Sequence, residues 1–421
     1  MEKQNIKILA IETSCDETAA AVIGTEELNN GRAKELNPVI LSNVVSSQID
    51  LHAKTGGVVP EVASRAHMEA IISVISEALM LANHKSQITN HKQISNSKSQ
   101  KLEAESYKLK ANALSEITHI AVTAGPGLIG SLLVGFNTAK SIAYSLNLPI
   151  VPVNHIEGHI YSTVLNTKQD LKNKSKNDGQ FPILALTVSG GHTSLTLMLD
   201  HGKYKTIGQT RDDAAGEAFD KVARLLDLGY PGGPIVSKLA EDYRRKNPKS
   251  KKLKAESYPS RLGSQAEADN LEAIVLPRPM IKDKSFDFSF SGLKTAVLET
   301  VKNLRTEELK NKKNEICAAF EDAAVDVLTT KTINAARKYK PRGVILAGGV
   351  AANKSLQQEL KNRIENYNLE VKEINKINYY LPPIDMTGDN AAMIGLAAYH
   401  HISKGDVMSW NEIKVDSNMK L

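Results

Sequence analysis

Four times along the chain an apolar run ends in a tight turn of glycine or small polar residues and restarts as a second regular segment. This recurrence constrains the fold more than any other feature. Ile6 to Ile11 reads as a buried strand, Glu12-Thr13-Ser14-Cys15-Asp16-Glu17-Thr18 as a polar turn, and Ala19 to Ile23 as a further strand. Ile120 to Val122 leads through Gly125-Pro126-Gly127 into a helix over Leu132 to Leu146. The second half repeats the pattern: Ile183 to Val188, the turn Ser189 to Thr193, then Leu195 to Leu199, and later Gly343 to Ala347, the turn Gly348 to Asn353, then a helix over Leu356 to Ile364. Apolar residues at Val62, Ala66, Ala70, Val74, Ala78 and Leu81 keep helical spacing over Pro60 to Ala82, and Pro149 to Val153 reads as another strand. Strands alternating with helices in this way give mixed α/β layers, and 421 residues are more than one core usually organises, so two domains are expected.

Composition narrows the setting. Hydrophobic residues at 41% suffice for a packed core, and the two cysteines, Cys15 and Cys317, form no metal knuckle or disulfide framework. The apolar stretch Ile120 to Ala139 has the length of a membrane span, but the glycine-proline turn and Thr123, Ser131, Asn137 and Thr138 interrupt it. No basic segment followed by a long apolar one opens the chain, so a reducing, cytoplasmic setting is expected.

The formal charge of +6 is unevenly placed. Lys85 to Lys110 carries net +4 and Arg244 to Glu256 net +6, which leaves −4 on the remainder. Both segments contain KLxAESY, at Lys101 to Tyr107 and Lys252 to Tyr258, and read as related, solvated insertions. Attraction to a phosphate backbone would have to come from such local patches or from partner proteins.

Glycine turns after strands let backbone N–H groups approach an anion, and three occur here: Gly125 to Gly130, Ser189 to Gly191 and Gly348 to Asn353. A tight turn alone explains each as well as a ligand does. None fits GxxxxGK[ST] or a Rossmann GxGxxG in context, which excludes P-loop and dehydrogenase readings. His155-Ile156-Glu157-Gly158-His159 sets two imidazoles one helical turn apart, either as a ligand pair for one metal ion or as two histidines on a surface helix. A zinc peptidase needs HExxH, whereas Glu157 stands one position too late. Asp389 in Thr387-Gly388-Asp389-Asn390-Ala391 is the candidate third ligand, or an ordinary helix N-cap. Phe286, Phe288 and Phe290 alternate as on the buried side of a strand.

IETSCDETA at Ile11 to Ala19, GGVVPEVASRAH at Gly56 to His67, TAGPGLIGSLLVG at Thr123 to Gly135, NHIEGH at Asn154 to His159 and VSGGHT at Val188 to Thr193 together resemble the TsaD family. DDAAGEAFDKVARLL at Asp212 to Leu226, YPGGP at Tyr230 to Pro234, FDFSFSGLKTA at Phe286 to Ala296 and AGGVAAN at Ala347 to Asn353 follow in the family's order. The resemblance implies an α/β, actin-like ATPase (ASKHA) fold of two RNase H-like α/β domains flanking a nucleotide cleft. The expected domains are 1–150, with an insertion at about 85–114 and completed by a helix at about 388–405, and 151–387, with an insertion at about 244–270.

The implied activity is transfer of threonylcarbamoyl from threonylcarbamoyl-AMP to N6 of the adenosine beside the anticodon, in tRNAs reading codons that begin with A. This forms t6A and releases AMP. An actin-like ATPase or small-molecule kinase, or a nucleotide-binding scaffold subunit, are the alternative readings. The resemblance maps metal ligands onto His155, His159 and Asp389, with one divalent ion, Fe2+ or Zn2+. It maps substrate contacts onto Thr187, Val188, Ser189, Gly190, Gly191, Asp220, Gly233 and Asn353. Glu12, in the first polar turn, is the candidate general base. Implied partners are tRNA and either TsaB-like and TsaE-like proteins or KEOPS subunits, with no membrane. Ser237 stands where some members have an acid, and Thr187 where many have an aliphatic residue.

Overall fold

The computed structural model describes residues 6–29, 34–87, 112–164, 181–248 and 274–421. The core of the first basic segment, 88–111, and most of the second, 249–273, lie outside them. The chain divides into two units, residues 1–175 with 382–421, and residues 176–381.

The first unit is built on the sheet β3-β2-β1-β4-β5, with β1 at Ile8–Glu12, β2 at Glu17–Asn29, β3 at Lys34–Ser47, β4 at His119–Gly125 and β5 at Ile150–Asn154. β1 pairs antiparallel with β2 and parallel with β4, so it is central and buried along its whole length. Strands buried on both faces read as continuous apolar runs, which is why Ile8 to Ile11 shows no alternation. Leu9 and Ile11 pack towards α2 (Pro60–Gln87) and α3 (Ile129–Leu146), after the short α1 (Ile49–Ala53). Ala10 and Ile23 face α10 (Ala391–Ser403), whose Gly395 lies so close that a Cβ would stand 2.4 Å from Ile23.

The helix α4 (His155–Val164) continues directly from β5 and packs on α10 through Gly158, where a Cβ would meet Ile394 at 2.8 Å. These contacts keep 151–164 with the first unit. The division therefore falls after residue 175, not at the expected 150, because β5 is parallel-paired to β4 and α4 has its packing partner there.

The second unit repeats the topology as β8-β7-β6-β9-β10. Its strands are β6 (Ile183–Val188), β7 (Thr193–Asp200), β8 (Lys203–Gln209), β9 (Gly343–Ala347) and β10 (Asn378–Tyr380). Its helices are α5 (Ala215–Leu225), α6 (Gly232–Lys246), α7 (Ser291–Asn303), α8 (Thr306–Tyr339) and α9 (Lys354–Glu370). In both units a first strand pairs antiparallel with the next, which pairs antiparallel with a third, while two parallel strands extend the other side. That shared order is the RNase H-like arrangement, duplicated as in actin-like proteins. Phe288 and Phe290 are fully buried in the second unit's core, as their alternation indicates, although only a bridge from Phe288 to Thr210 joins them to strand structure.

Among the described residues no helix is long and apolar enough to cross a membrane. The Ile120 to Ala139 stretch is β4, a turn and the start of α3.

Candidate metal and ligand sites

His155 and His159 stand on the first two turns of α4, and Asp389 lies just before α10. One ligand atom from each falls within 4.8 Å of the others. Asp389 Oδ1 is 3.5 Å from His155 Nε2 and 3.2 Å from His159 Nε2. Ligands held about 2.1 Å from one ion are roughly 3.0–3.4 Å apart in tetrahedral or octahedral geometry, so these two spacings suit a shared ion. Neither ring nitrogen of the fully buried His159 has a hydrogen-bond partner among the described residues, a costly state that an ion would relieve at Nε2. The alternative role of Asp389 as a helix cap is filled by its neighbour: Asn390 Oδ1 accepts from Met393 N–H at 3.0 Å.

Glu157 does not join this group. Its Oε2 lies 3.0 Å from His401 Nε2 on α10, while Asp406 is 2.7 Å from His401 Nδ1. The hydrogen bond that His401 donates to Glu157 leads the effects that raise the His401 pKa to about 9. This acid fastens α4 to α10.

Glu12, the candidate base, is fully buried at the end of β1. Its carboxylate accepts from Ser14 N–H, from Thr123 Oγ1 at 2.6 Å, and lies 3.0 Å from His155 Nδ1. Ser14 Oγ is 3.1 Å from the same nitrogen. Nε2 of His155 is thereby left to face Asp389, which is how a carboxylate behind a histidine orients a metal ligand. Burial disfavours the His155 imidazolium, but Asp389 and Glu12 outweigh it and raise its pKa to about 9. Burial likewise works against the Glu12 carboxylate, and His155 reverses this to a net lowering. Ser14 and Thr123 were not singled out from sequence; only their places in blocks around the two loops could have flagged them.

The Gly125 to Gly130 turn is packed closely by the chain itself. A Cβ on Gly125, which has φ +152°, would stand 1.8 Å from the Asp416 carbonyl oxygen, and one on Gly127 2.6 Å from that of Ser14. Gly130 is stopped by Ser64 on α2. Two of the turn's N–H groups are also spent: Gly127 donates to Ser417 O and Leu128 to Ser14 O.

In the second unit the turn after β6 is different. No described atom lies within 4 Å of a Cβ placed on Gly190, Gly191, Gly233 or Gly349, and none of these has a positive φ. Around them contacts run in a closed circuit. The start of α5 presses on Ser189 through Gly216, and Asp220 accepts from Gly232 N–H at 2.7 Å where α6 begins. Ser237 of α6 meets Asn353, and Gly348 meets the Val188 carbonyl. With the Gly232 N–H given to Asp220, the helix start offers the Gly233 N–H, a backbone donor of the kind that binds anions.

Thr187 and Val188 lie inside the sheet with buried side chains, so they shape the turn from beneath. Asn353 is also committed: its amide donates to Glu321 Oε1 at 2.7 Å and Ser237 Oγ at 2.9 Å, and its oxygen caps α9 at Leu356 N–H. Glu321, fully buried on α8 and paired with Arg244 at 2.6 Å, was missed because nothing in its local sequence departs from a helix. Arg244 also meets Asp322, and Arg245 meets Asp242, so the first two cations of the second basic segment are balanced within the unit.

A sequence model described as TsaD, tRNA N6-adenosine threonylcarbamoyltransferase, matches residues 39–94 and 104–396. The chain belongs to the TsaD family. A curated protein of that name from Geobacillus thermodenitrificans is 42% identical over 98% of this chain and 94% of its own length. The protein of that name from Staphylococcus haemolyticus is 40% identical over 100% of the chain and 98% of its own. Among solved structures, full-length HypF in a phosphate- and nucleotide-bound form shows 13% identity and a TM-score of 0.47, covering 96% of this chain and 47% of that one.

Proposed function

We propose that this chain is a tRNA N6-adenosine threonylcarbamoyltransferase that takes the group from threonylcarbamoyl-AMP. The N6 amine of the adenosine beside the anticodon attacks the carbamoyl carbon, the carbon–oxygen bond to phosphate breaks, and AMP leaves as t6A forms. The convergence of His155, His159 and Asp389, with Glu12 behind His155, carries this reading within the family. A bound divalent ion, Fe2+ as the first expectation and Zn2+ as the second, supplies Lewis acidity towards an acyl oxygen.

The chain's own groups divide the remaining work. Gly190, Gly191 and Gly233 leave room for the AMP portion against backbone N–H groups, while Asp220 fixes the start of α6 and Asn353 locks the Gly349 turn. Glu12 orients His155 instead of taking the amine's proton, since its oxygens already serve three donors. TsaB-like and TsaE-like partners fit the bacterial relatives. The exposed apolar side chains Met68 and Ile72 on α2 and Ile129 and Leu133 on α3 support a partner protein at these helices. The setting is cytoplasmic.

The test is nucleoside analysis of tRNA from depleted cells, with transfer by purified protein. His159→Ala and Asp389→Ala are expected to lose bound metal and transfer together while remaining folded. Full transfer by metal-free protein would overturn the reading.

A further inference from the structure

The Gly56 to His67 block has no part in the chemistry above, yet it ends in a fully buried histidine. Three side chains around it, Gln48, His52 and His67, are buried and hydrogen-bonded in series. Their proton placement follows from one end. The Cys15 carbonyl can only accept, so His67 Nε2, 3.0 Å away, carries a hydrogen. His67 Nδ1 is then an acceptor in the neutral ring, for Thr18 Oγ1 at 2.8 Å and Gln48 Nε2 at 3.3 Å. With its nitrogen facing His67 and the Ala63 carbonyl, Gln48 turns its oxygen to His52 Nε2 at 3.1 Å. His52 Nδ1 is left to accept from Val59 N–H at 3.4 Å. Every donor in the series points the same way, from Val59 to Cys15.

The loop at the receiving end carries the groups that set His155. The Gln48 backbone N–H also holds the Asp16 carbonyl at 3.1 Å, so two successive loop carbonyls are gripped. On the other side of those carbonyls, Glu12 and Ser14 meet His155 Nδ1.

We propose that Gln48, His52 and His67 form a one-directional hydrogen-bond relay that positions the Glu12–Asp16 loop, and through Glu12 and Ser14 the His155 imidazole, for metal binding. They are positioning residues, and the inference rests on the metal reading above. Burial, the largest influence on His67, lowers its pKa and keeps it in the neutral form the relay needs. Hydrogen-bonded chains in a low-dielectric interior hold their members more tightly than isolated pairs, because each bond polarises the next.

Two measurements on the full chain test this. Nitrogen-resolved NMR of the imidazoles should show His52 and His67 both neutral with the proton on Nε2; the Nδ1 form at either overturns the relay, and no variant is needed to see it. Zn2+ affinity is the second readout. His67→Leu should weaken Zn2+ binding and lower kcat roughly ten- to hundredfold, with KM for the adenylate little changed. His67→Gln, which retains a donor near the Cys15 carbonyl, should recover most of both. Unchanged Zn2+ affinity in His67→Leu, measured well below its unfolding transition, would reduce the network to a packing role. Because tautomer and Zn2+ affinity are read without the reaction, a wild-type chain that fails to transfer but shows the expected values removes the functional reading and leaves the relay standing.

Discussion

At the end of β4, Gly125 and Gly127 are pressed against the carbonyls of Asp416 and Ser14, whereas at the end of β6, Gly190 and Gly191 face open space. Both turns follow a buried strand, and in both the strand pairs in parallel with a neighbour. The first lacks side chains because its own chain occupies the room. Among the described residues the second has no internal reason to lack them: no packing and no positive φ requires glycine there. A glycine that the protein does not need for itself is the better indicator of a ligand.

The comparison can be broken most sharply at Gly125. Gly125→Ala places a Cβ on a backbone oxygen at φ +152° and should destabilise the first unit by about 3 kcal/mol or more, while Gly190→Ala should stay within about 0.5 kcal/mol. Urea unfolding of the two variants compares them directly, and equal losses would show that the open space at Gly190 is not real. Gly190→Val then sharpens the second half: a branched side chain with no internal clash should leave unfolding unaltered yet weaken binding of an AMP-bearing ligand by about a hundredfold, some 3 kcal/mol. Calorimetric titration with a stable adenylate analogue reads this.

A smaller effect is expected at Asn353, whose side chain serves the unit's own framework. Asn353→Ala removes a helix cap and strands the buried Glu321 oxygen, a loss of about 1–3 kcal/mol in stability. If ligand affinity falls far more than stability, the amide contacts ligand after rearranging.

The smallest effect separates the units by pH. His155, with its pKa raised from 6.5 to about 9, stabilises the metal-free first unit fully below about pH 6.5, and this contribution is lost as pH rises through about 9. Metal binding runs the other way, since a ligating imidazole must be neutral: Zn2+ uptake should release about one proton and tighten as pH rises towards 9. Ligand binding at the second unit's open turn does not involve His155 and should not release that proton. Potentiometric titration during Zn2+ addition checks the proton count.

How much of this was legible beforehand differs by residue. The sequence pattern located β1, β4, β6 and β9, the strands after β1 and β6 and the helices after β4 and β9, since burial on both faces of a central strand writes itself as an apolar run. The HxxxH spacing and the family blocks named His155, His159 and Asp389. What composition and spacing left open was which group each residue would meet. Whether Asp389 capped a helix was decided by Asn390 beside it, and whether Glu157 faced a metal by His401, 244 positions away. Whether the Gly125 turn served its own chain or a ligand was left open by the sequence, and Asp416, far along the chain, fills it. Gln48, His52, His67 and Glu321 were invisible because a buried polar side chain is defined by its partners, and those partners come from other elements. The sequence alone determined the layers, the two halves and the identity of the metal-ligand candidates, because these follow from local periodicity and residue type. Only the tertiary structure decided which glycines were open, which carboxylate stood behind His155 and which way the protons pointed, because each depends on atoms that folding brings together from distant parts of the chain.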